Sequence, residues 1–293
     1  MATIAANLQA VRARIGRAAQ AAGRRVDEIK LLAVSKTFPA ARVREAYAAG
    51  QHAFGESYAQ EAVEKITELA SIPIDCRGAQ VSRENDRARG DAPIPSSGVA
   101  SPTLTPSLSP KGREEAFASL LPLGQGSGMG ELGPLLLPLE WHFIGPIQSN
   151  KTRVIAEHFQ WVHSVEREKI AIRLSDARPA DLPPLDVCIQ VNVSGEHDKR
   201  GIGPGGEVQL AEAISRLPRL RLRGLMAIPE PTPDTVVQRR QFALLRELQE
   251  KLVARGYVLD TLSMGMSDDL EAAIMEGATI VRVGTAIFGP RNR

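Results

Sequence analysis

Two glycine-containing turns near the end of the sequence are the first features that indicate chemistry. One, at residues 265–267, precedes a predicted helix that begins at Ser267 or Asp268. The other, at residues 284–285, follows an apolar segment typical of a buried strand. Main-chain N–H groups at such turns have no partner in a helix or strand, so they can bind an anion, most often a phosphate. The two turns therefore predict a phosphate site.

Lys36 is the second feature, and it directly follows residues 29–35, an apolar segment that predicts a buried strand. A lysine amine that is partly removed from water loses its proton more readily, and the neutral amine can form a Schiff base. A Schiff-base lysine together with a phosphate site indicates pyridoxal 5′-phosphate (PLP) as a cofactor. The alternative for Lys36 alone is a solvated lysine at a strand end.

Several polar residues lie within predicted strands. Arg282 precedes Gly284 by two residues, so the alternation of a strand places both on one side. Because arginine only donates hydrogen bonds, Arg282 opposite a pyridine nitrogen would keep that nitrogen unprotonated; an internal ion pair is the alternative. Asn192 lies in an apolar strand and needs a polar partner, which the cofactor could supply. His142 and His163 are interpreted as core histidines with satisfied hydrogen bonds.

The residues around the first turn also have ordinary structural explanations. Ser263 and Ser267 flank Gly265, and serine commonly caps helices and stabilises turns. Asp268 and Asp269 lie at the start of a predicted helix, where negative charge complements the helix dipole. We favour this interpretation of the two aspartates over a catalytic pair.

The bulk composition limits the classes of function. The chain has 293 residues, of which 43% are hydrophobic, enough for one α/β barrel of about 250 residues. The net charge of +2 gives no indication of nucleic acid or membrane as a partner. Cys76 and Cys188 suggest neither a disulfide framework nor a zinc site, so we expect a reducing cytoplasm. Residues 1–25 are interpreted as an amphipathic helix, with a transit peptide as the alternative.

Strand and helix patterns alternate along the sequence, which predicts a parallel sheet. The predicted strands are residues 29–35, 53–55, 141–145, 161–165, 187–193, 221–227, 261–264 and 279–283. The predicted helices are residues 3–22, 40–49, 58–69, 150–157, 167–176, 207–216, 235–255 and 268–276. Eight such units predict one closed (β/α)8 TIM barrel with an extra N-terminal helix and a site at the C-terminal ends of the strands. An open doubly wound sheet is the alternative, but its glycine-rich loop would follow the first strand.

Residues 72–138 interrupt this alternation. Residues 93–138 contain eight of the twenty prolines, and such a composition offers few faces that can pack. We predict a disordered insertion within a single domain that spans residues 1–293. Since it connects a helix to the following strand, it is expected on the barrel face opposite the site. A proline-rich docking segment is the alternative.

The motifs together resemble the pyridoxal phosphate homeostasis protein family (YggS/PROSC type), whose fold is similar to the N-terminal barrel of alanine racemase. The matching segments are LLAVSKT (31–37), FGE (54–56), WHFIGPIQSNK (141–151), IQVNV (189–193), RGLMAIP (223–229), SMGMSDD (263–269) and VRVGTAIFG (281–289). The resemblance implies a PLP-binding protein of intracellular vitamin B6 homeostasis without established catalytic turnover. It also suggests PLP-dependent apoenzymes as partners.

The resemblance assigns roles to individual residues. Lys36 would carry the cofactor as a Schiff base, Arg282 would face the pyridine nitrogen, and Met226 would line the ring. The complete set of predicted cofactor-binding residues is Lys36, Asn192, Met226, Ser263, Gly265, Met266, Ser267, Arg282, Gly284 and Thr285. One departure from the family pattern is Ser57, which stands where the family usually has asparagine.

A PLP-dependent racemase is the alternative function. A racemase needs two proton-transfer groups on opposite faces of the cofactor ring. Lys36 could serve one face, but Tyr47, Tyr58 and Tyr257 offer no clear candidate for the other. We therefore expect a carrier without efficient catalysis. The absence of an obvious apolar surface patch is compatible with a monomer.

Overall fold

A computed structural model of the protein describes residues 3–70, 138–196 and 200–290. Within them, eight parallel strands form a closed barrel in chain order. The strands are β1 (Lys30–Val34), β2 (Ala53–Glu56), β3 (Glu140–Phe143), β4 (Trp161–Val165), β5 (Leu185–Gln190), β6 (Leu220–Met226), β7 (Thr261–Ser263) and β8 (Ile280–Val283). The predicted TIM barrel is confirmed.

Helices follow the strands around the outside of the barrel, as the alternation predicts. They are α1 (Ile4–Ala21), α2 (Ala40–Ala48), α3 (Ala59–Ala70), α4 (Thr152–His158), α5 (Glu168–Ala177), α6 (Glu207–Ser215), α7 (Thr235–Ala254), α8 (Leu270–Met275) and α9 (Thr285–Phe288). The sequence did not indicate α9 or the short 3₁₀ helix Val26–Glu28. None of the helices in the described residues is both long and apolar enough to cross a membrane.

The pairing of β1 with β8 closes the barrel and creates the geometry of its mouth. Leu32 is in register with Arg282, and the two strands run in the same direction. The turn after β1 therefore lies beside the turn after β8. Lys36 and Gly284, which are distant in sequence, are brought to the same end of the barrel.

The N-terminal helix α1 packs against the outer helices of the barrel on this side. Thr3 caps it, since its side chain accepts a hydrogen bond from the Ala6 N–H at 3.2 Å. Its apolar residues recur at helical spacing and are buried at Ile4, Leu8, Val11 and Ile15. This face packs against α8, α9 and α2. Helix α1 thus covers the elements that follow β7 and β8.

Strand β5 ends earlier than the predicted strand at residues 187–193. After Gln190 the N–H of Val191 still donates to the Met226 oxygen of β6, but the next residue turns to a loop segment: the N–H of Asn192 donates to the Ile202 oxygen at 2.8 Å. Residues 72–137 of the predicted insertion lie outside the described residues. Its disorder and its place within a single domain therefore stay predictions.

Candidate functional site

A cavity of about 460 Å³ opens at the C-terminal ends of β1 and β8. It lies where a TIM barrel places its functional residues. The lining residues are Arg14, Val34, Lys36, Ile144, Ile228, Met266, Ser267, Asp268, Arg282, Gly284, Thr285 and Ala286. One amine, two guanidinium groups and one carboxylate thus face a space that is large enough for a small cofactor.

Lys36 lies in the turn that follows β1, and it is half-buried. The next residue, Thr37, has a φ of 68°, a conformation that is unfavourable for a β-branched side chain. The Thr37 N–H donates to Oε1 of Glu61 at 2.6 Å, a contact that helps to hold this conformation. The turn that presents Lys36 is therefore held by α3, the helix to which Glu61 belongs.

A buried ion pair between Lys65 and Glu56 stabilises the same turn through contacts with Ser35. Nζ of Lys65 lies 2.5 Å from Oε1 of Glu56 and donates to the main-chain oxygen of Ser35 at 2.9 Å. The hydroxyl of Ser35 donates to the same carboxylate oxygen at 2.7 Å. Burial raises the pKa of Glu56, although the charge of Lys65 opposes this shift. These contacts fix the residue that precedes Lys36.

The two glycine turns form one wall of the cavity. Gly284 lies so close to β1 that a Cβ atom there would be 3.2 Å from the Val34 oxygen. Gly265 has a φ of +90°, which favours glycine. Thr285 and Ala286 line the cavity in the first turn of α9, where N–H groups have no acceptor within the helix. These turns can donate main-chain hydrogen bonds to an anion.

Arg282 is buried in the floor of the cavity. Its Nη1 donates to the main-chain oxygen of Ser263 at 2.5 Å and to the Ser263 Oγ at 2.8 Å, and its Nη2 donates to the Ala227 oxygen at 2.8 Å. Burial lowers the pKa of Arg282 to about 10, so the side chain is still charged at neutral pH. The guanidinium has more N–H donors than these bonds use, and it can therefore also donate to a ligand.

Arg14 reaches the cavity from helix α1. Its Nη2 donates to the main-chain oxygen of Ser267 at 2.9 Å, and its Nε donates to Oε1 of Glu271 at 2.9 Å. The hydrogen bond that Arg14 donates to Glu271 raises the pKa of Arg14. Arg14 therefore adds positive charge beside the first glycine turn. The sequence did not identify Arg14 as a cavity residue, because the position of its side chain depends on how α1 packs against the barrel.

Part of the predicted cofactor-binding set lines this cavity: Lys36, Met266, Ser267, Arg282, Gly284 and Thr285. The other predicted residues do not line it: Asn192, Met226, Ser263 and Gly265. The cavity also includes Arg14, Asp268 and the apolar side chains of Ile144 and Ile228, which the prediction did not assign. Both isoleucines lie in segments that match the family, and no other feature of the sequence indicated that they line the cavity.

The four residues outside the cavity lining have local partners; for Gly265 this is the Arg282 N–H, which donates to its main-chain oxygen at 2.9 Å. Ser263 is fully buried beneath Arg282, and Met226 is fully buried against Trp161 and Cys188. Asn192 forms hydrogen bonds in the loop after β5, where its Nδ2 donates to the Glu196 oxygen at 2.7 Å. Their predicted contacts with a cofactor stay predictions.

The two core histidines contact each other inside the barrel. His163 Nδ1 lies 2.7 Å from the Ser263 Oγ, and His163 Nε2 lies 2.9 Å from His142 Nδ1. Burial lowers the pKa of both imidazoles. Their predicted burial is confirmed, but Nε2 of His142 has no well-aligned hydrogen bond with the described residues.

Comparison with known proteins places the chain in a family. A family model described as the alanine racemase N-terminal domain matches residues 6–292. A pyridoxal phosphate homeostasis protein of Pseudomonas aeruginosa is 52% identical over 292 residues, which cover 100% of this chain and 97% of that protein. The chain belongs to the pyridoxal phosphate homeostasis protein family.

Solved structures agree with this family assignment. The structure of PipY of Synechococcus elongatus with PLP bound has a TM-score of 0.66 and 29% sequence identity; the match covers 98% of this chain and all of that one. An alanine racemase of Clostridium difficile has a TM-score of 0.58 at 12% identity, and the match covers 97% of this chain and 56% of the racemase. The second similarity shows the fold alone.

This member of the pyridoxal phosphate homeostasis protein family has Ser57 where the resemblance predicts asparagine. Ser57 is buried and does not line the cavity. Its main chain packs directly against Gly145, where a Cβ atom would lie 2.2 Å from the Ser57 oxygen. Ser57 therefore contributes to the packing of β2 against the loop after β3.

Proposed function

We propose that this protein binds PLP in the cavity at the ends of β1 and β8, holds it as a Schiff base on Lys36, and acts in intracellular PLP homeostasis without efficient catalysis. One observation carries the proposal: Lys36, Arg282 and the two glycine turns line the same cavity. The family membership supports it, because the relatives are named for PLP homeostasis and PipY has been solved with PLP bound.

The phosphate of PLP fits the wall that the two turns form. The N–H groups of Thr285 and Ala286 are available there, and Arg14 provides a positive charge beside Ser267. A charged donor strengthens a hydrogen bond to an anion roughly twofold. We assign the phosphate to this wall, with Arg14 as a contact that adds to the turns.

Arg282 is the proposed partner of the pyridine nitrogen. PLP supplies an aldehyde that condenses with an amine and a ring that withdraws electrons. Arg282 stays protonated and can only donate, so it leaves the ring nitrogen without a proton and weakens that withdrawal. This pairing favours storage and release of the cofactor over carbanion chemistry.

The remaining ionisable groups of the cavity do not complete a racemase. Among the described residues that line it there is no tyrosine or histidine, and the carboxylate is that of Asp268. Asp268 follows Ser267 in the turn that we assign to the phosphate. We therefore propose a carrier, with PLP-dependent apoenzymes as recipients. We also expect a cytoplasmic location, as the cysteine content predicts, and a monomer.

The test is a titration of the purified full-length protein with PLP, followed by borohydride reduction and peptide mapping. We expect an absorbance band of the lysine-bound cofactor and a reduced pyridoxyl group on Lys36. Lys36→Ala should lose both, whereas Lys169→Ala, which changes an exposed lysine on α5, should keep both. A pyridoxyl group on another lysine of the unmodified protein would contradict the assignment.

A further inference from the structure

A line of polar side chains crosses the barrel interior, starting at the cavity floor. Nη1 of Arg282 donates to the Ser263 Oγ at 2.8 Å, and that oxygen lies 2.7 Å from His163 Nδ1. His163 Nε2 lies 2.9 Å from His142 Nδ1. These four side chains are buried. They connect four strands, β8, β7, β4 and β3, through side chains alone.

The line continues to the opposite end of the barrel. His142 Nε2 lies 3.4 Å from Oε1 of Glu140, the first residue of β3. The other carboxylate oxygen of Glu140 lies 2.8 Å from Nζ of Lys30, the first residue of β1. The side chains of Glu140 and Lys30 are 30% and 42% exposed. Solvent therefore reaches the far end of a line whose other end faces the cavity.

The chemistry of the two ends fixes the direction of the hydrogen bonds. Arg282 can only donate, and an ionised Glu140 can only accept. The arrangement that satisfies both ends has the Ser263 hydroxyl donating to His163 Nδ1 and His163 Nε2–H donating to His142 Nδ1. His142 Nε2–H is then on the side that faces Glu140, whose Oε1 lies 3.4 Å away in a contact that acts through charge, because it lacks the alignment of a hydrogen bond. The reverse arrangement would place a lone pair of His142 against the carboxylate.

Both imidazoles must be neutral for this arrangement, since a protonated ring has no acceptor. Burial is the main cause that lowers the pKa of both rings. The charged groups that face His142 are Glu140, Lys30 and Asp186, of which Lys30 also opposes protonation. His163 faces the positive charges of Lys30 and Arg282, and both oppose its protonation.

The orientation of the rings is also constrained by packing. His142 stacks on Trp161 with ring centroids 5.3 Å apart and planes inclined by 13°. The Trp161 ring also contacts a charged group, because the guanidinium carbon of Arg223 lies 4.7 Å from the centroid of the ring. The stacked rings have little freedom to turn, so the contacts between their nitrogens persist.

Arg282 needs such an arrangement because it is a buried charge. Burial lowers the pKa of Arg282, and the carboxylate of Asp269 is close enough to oppose that shift. Among the described residues, however, no carboxylate lies within ion-pair distance of the guanidinium, whose hydrogen bonds go to Ser263 and Ala227. An isolated buried charge is costly unless it is paired or hydrogen-bonded. We propose that Ser263, His163 and His142 form a directional hydrogen-bond chain through which Glu140 acts as a relayed counter-ion of Arg282.

The proposed chain makes Glu140 and the two histidines positioning residues that act through Arg282. Its existence does not depend on a cofactor. Its effect on a bound pyridine ring does rest on the proposed function, because Arg282 is the group that would face the ring nitrogen. The chain can therefore be tested in two separate experiments, one on the apoprotein and one on the loaded protein.

The first experiment measures the histidine tautomers in the full-length apoprotein by long-range ¹H–¹⁵N correlation spectra. We expect two rings with protonated Nε2 and unprotonated Nδ1, unchanged between about pH 5.5 and 8.5. Glu140→Gln should shift the ring nitrogens of both, and Asp260→Asn, which alters a carboxylate that pairs with Arg223, should not. An Nδ1–H tautomer on either ring, or rings unaffected by Glu140→Gln, would overturn the chain.

His142→Phe is the second variant, and it keeps a ring stacked on Trp161. It should shift the His163 ring nitrogens, and an unchanged His163 would contradict the chain even if Glu140→Gln fails to fold. The thermal midpoint of each variant is measured alongside, to separate a folding defect from a change of tautomer.

The second experiment uses the PLP-loaded protein and follows the pH midpoint of the cofactor absorbance. Loss of the Glu140 charge makes the cavity more positive, so Glu140→Gln should lower this midpoint by up to about one unit. In a His142→Phe background the same substitution should have little further effect, because the chain is already broken. Additive shifts would overturn the relay. Failure to load PLP would count against the proposed function alone.

Discussion

Arg14 in helix α1 donates a hydrogen bond from Nη2 to the main-chain oxygen of Ser267 at 2.9 Å. This contact ties the N-terminal helix, which is an addition to the barrel, to the turn that we assign to the cofactor phosphate. Glu271 in α8 holds the same guanidinium at 2.9 Å. Helix α1 is therefore a direct part of the cavity wall.

Arg14→Gln should weaken PLP binding by about 10- to 100-fold, since a hydrogen bond to a charged group contributes about 1.5–3 kcal/mol. The measurement is the dissociation constant from an absorbance or fluorescence titration. Arg17→Gln changes an exposed arginine on the same helix and should bind PLP normally. Equal affinity of the Arg14 variant and the unmodified protein would remove Arg14 from the site.

Incubation of the loaded protein with L-amino acids should give at most slow exchange of the cofactor linkage, without efficient racemisation or decarboxylation. In the proposed arrangement Arg282 would keep the ring a weak electron acceptor, and the described residues that line the cavity include no evident second proton-transfer group opposite Lys36. Loss of one such group typically slows a reaction by a factor of about 10²–10⁴. Chiral chromatography measures the products. Turnover in the range of about 1–10³ per second that Lys36→Ala abolishes would make the protein an enzyme.

Gly145→Ala should destabilise the fold by about 1–3 kcal/mol, because the new Cβ would lie 2.2 Å from the Ser57 oxygen and the main chain would have to move. Urea unfolding followed by circular dichroism gives the free energy of unfolding. Gly16→Ala is the matched control: it lies within α1 with nothing within 4 Å of the added atom. That change should stabilise the protein by about 0.5–1 kcal/mol.

Acidification should lower the free energy of unfolding, because His142 and His163 are buried as neutral rings. Their pKa values are lowered by burial from an ordinary 6.5, so below that pH the unfolded chain binds protons that the folded protein does not. The stability that depends on the two neutral histidines is thus fully present above about pH 6.5, and it is lost as the pH decreases below that value. We expect a loss of about 1–2 kcal/mol between about pH 7 and 5.5.

Urea unfolding at several pH values checks this dependence. His142→Phe removes one of the two groups, so its stability should fall less steeply over the same interval. A slope as steep as that of the unmodified protein would show that other groups cause the acid sensitivity.

Deletion of residues 77–137 should preserve PLP binding. The segment joins the C-terminal end of α3 to the N-terminal end of β3, and the cavity lies at the C-terminal ends of the strands. The measurement is PLP affinity of the folded deletion variant against the full-length protein. A deletion variant that folds yet binds no PLP would show that the segment contributes to the site.

The barrel was predictable because each strand is a short apolar run and a helical pattern fills nearly every gap. The ends of elements were less predictable: β5 stops at Gln190 because the following residues pair with a loop around Ile202, a partner that periodicity does not reveal. Helix α9 has four residues, too few to show a helical period.

The lining of the cavity was predictable where a residue type and its neighbours suffice, as with Lys36 after an apolar strand and Arg282 before a glycine turn. Arg14 was not, because its role depends on how α1 packs against α8. The contact between His142 and His163 depends on strand register, which places His142 beside Trp161 on β4. Alternation along one strand carries no information about that register.

The closure of the barrel by β1 and β8 also affects the order of assembly. The cavity takes Lys36 from the turn after the first strand and Gly284 from the turn after the last, so an intermediate that lacks β8 has no cofactor pocket. Contacts between such distant segments form slowly, because a long loop must close before they stabilise the chain. PLP should therefore bind only after the barrel has closed, and it should slow unfolding without accelerating the early steps of folding.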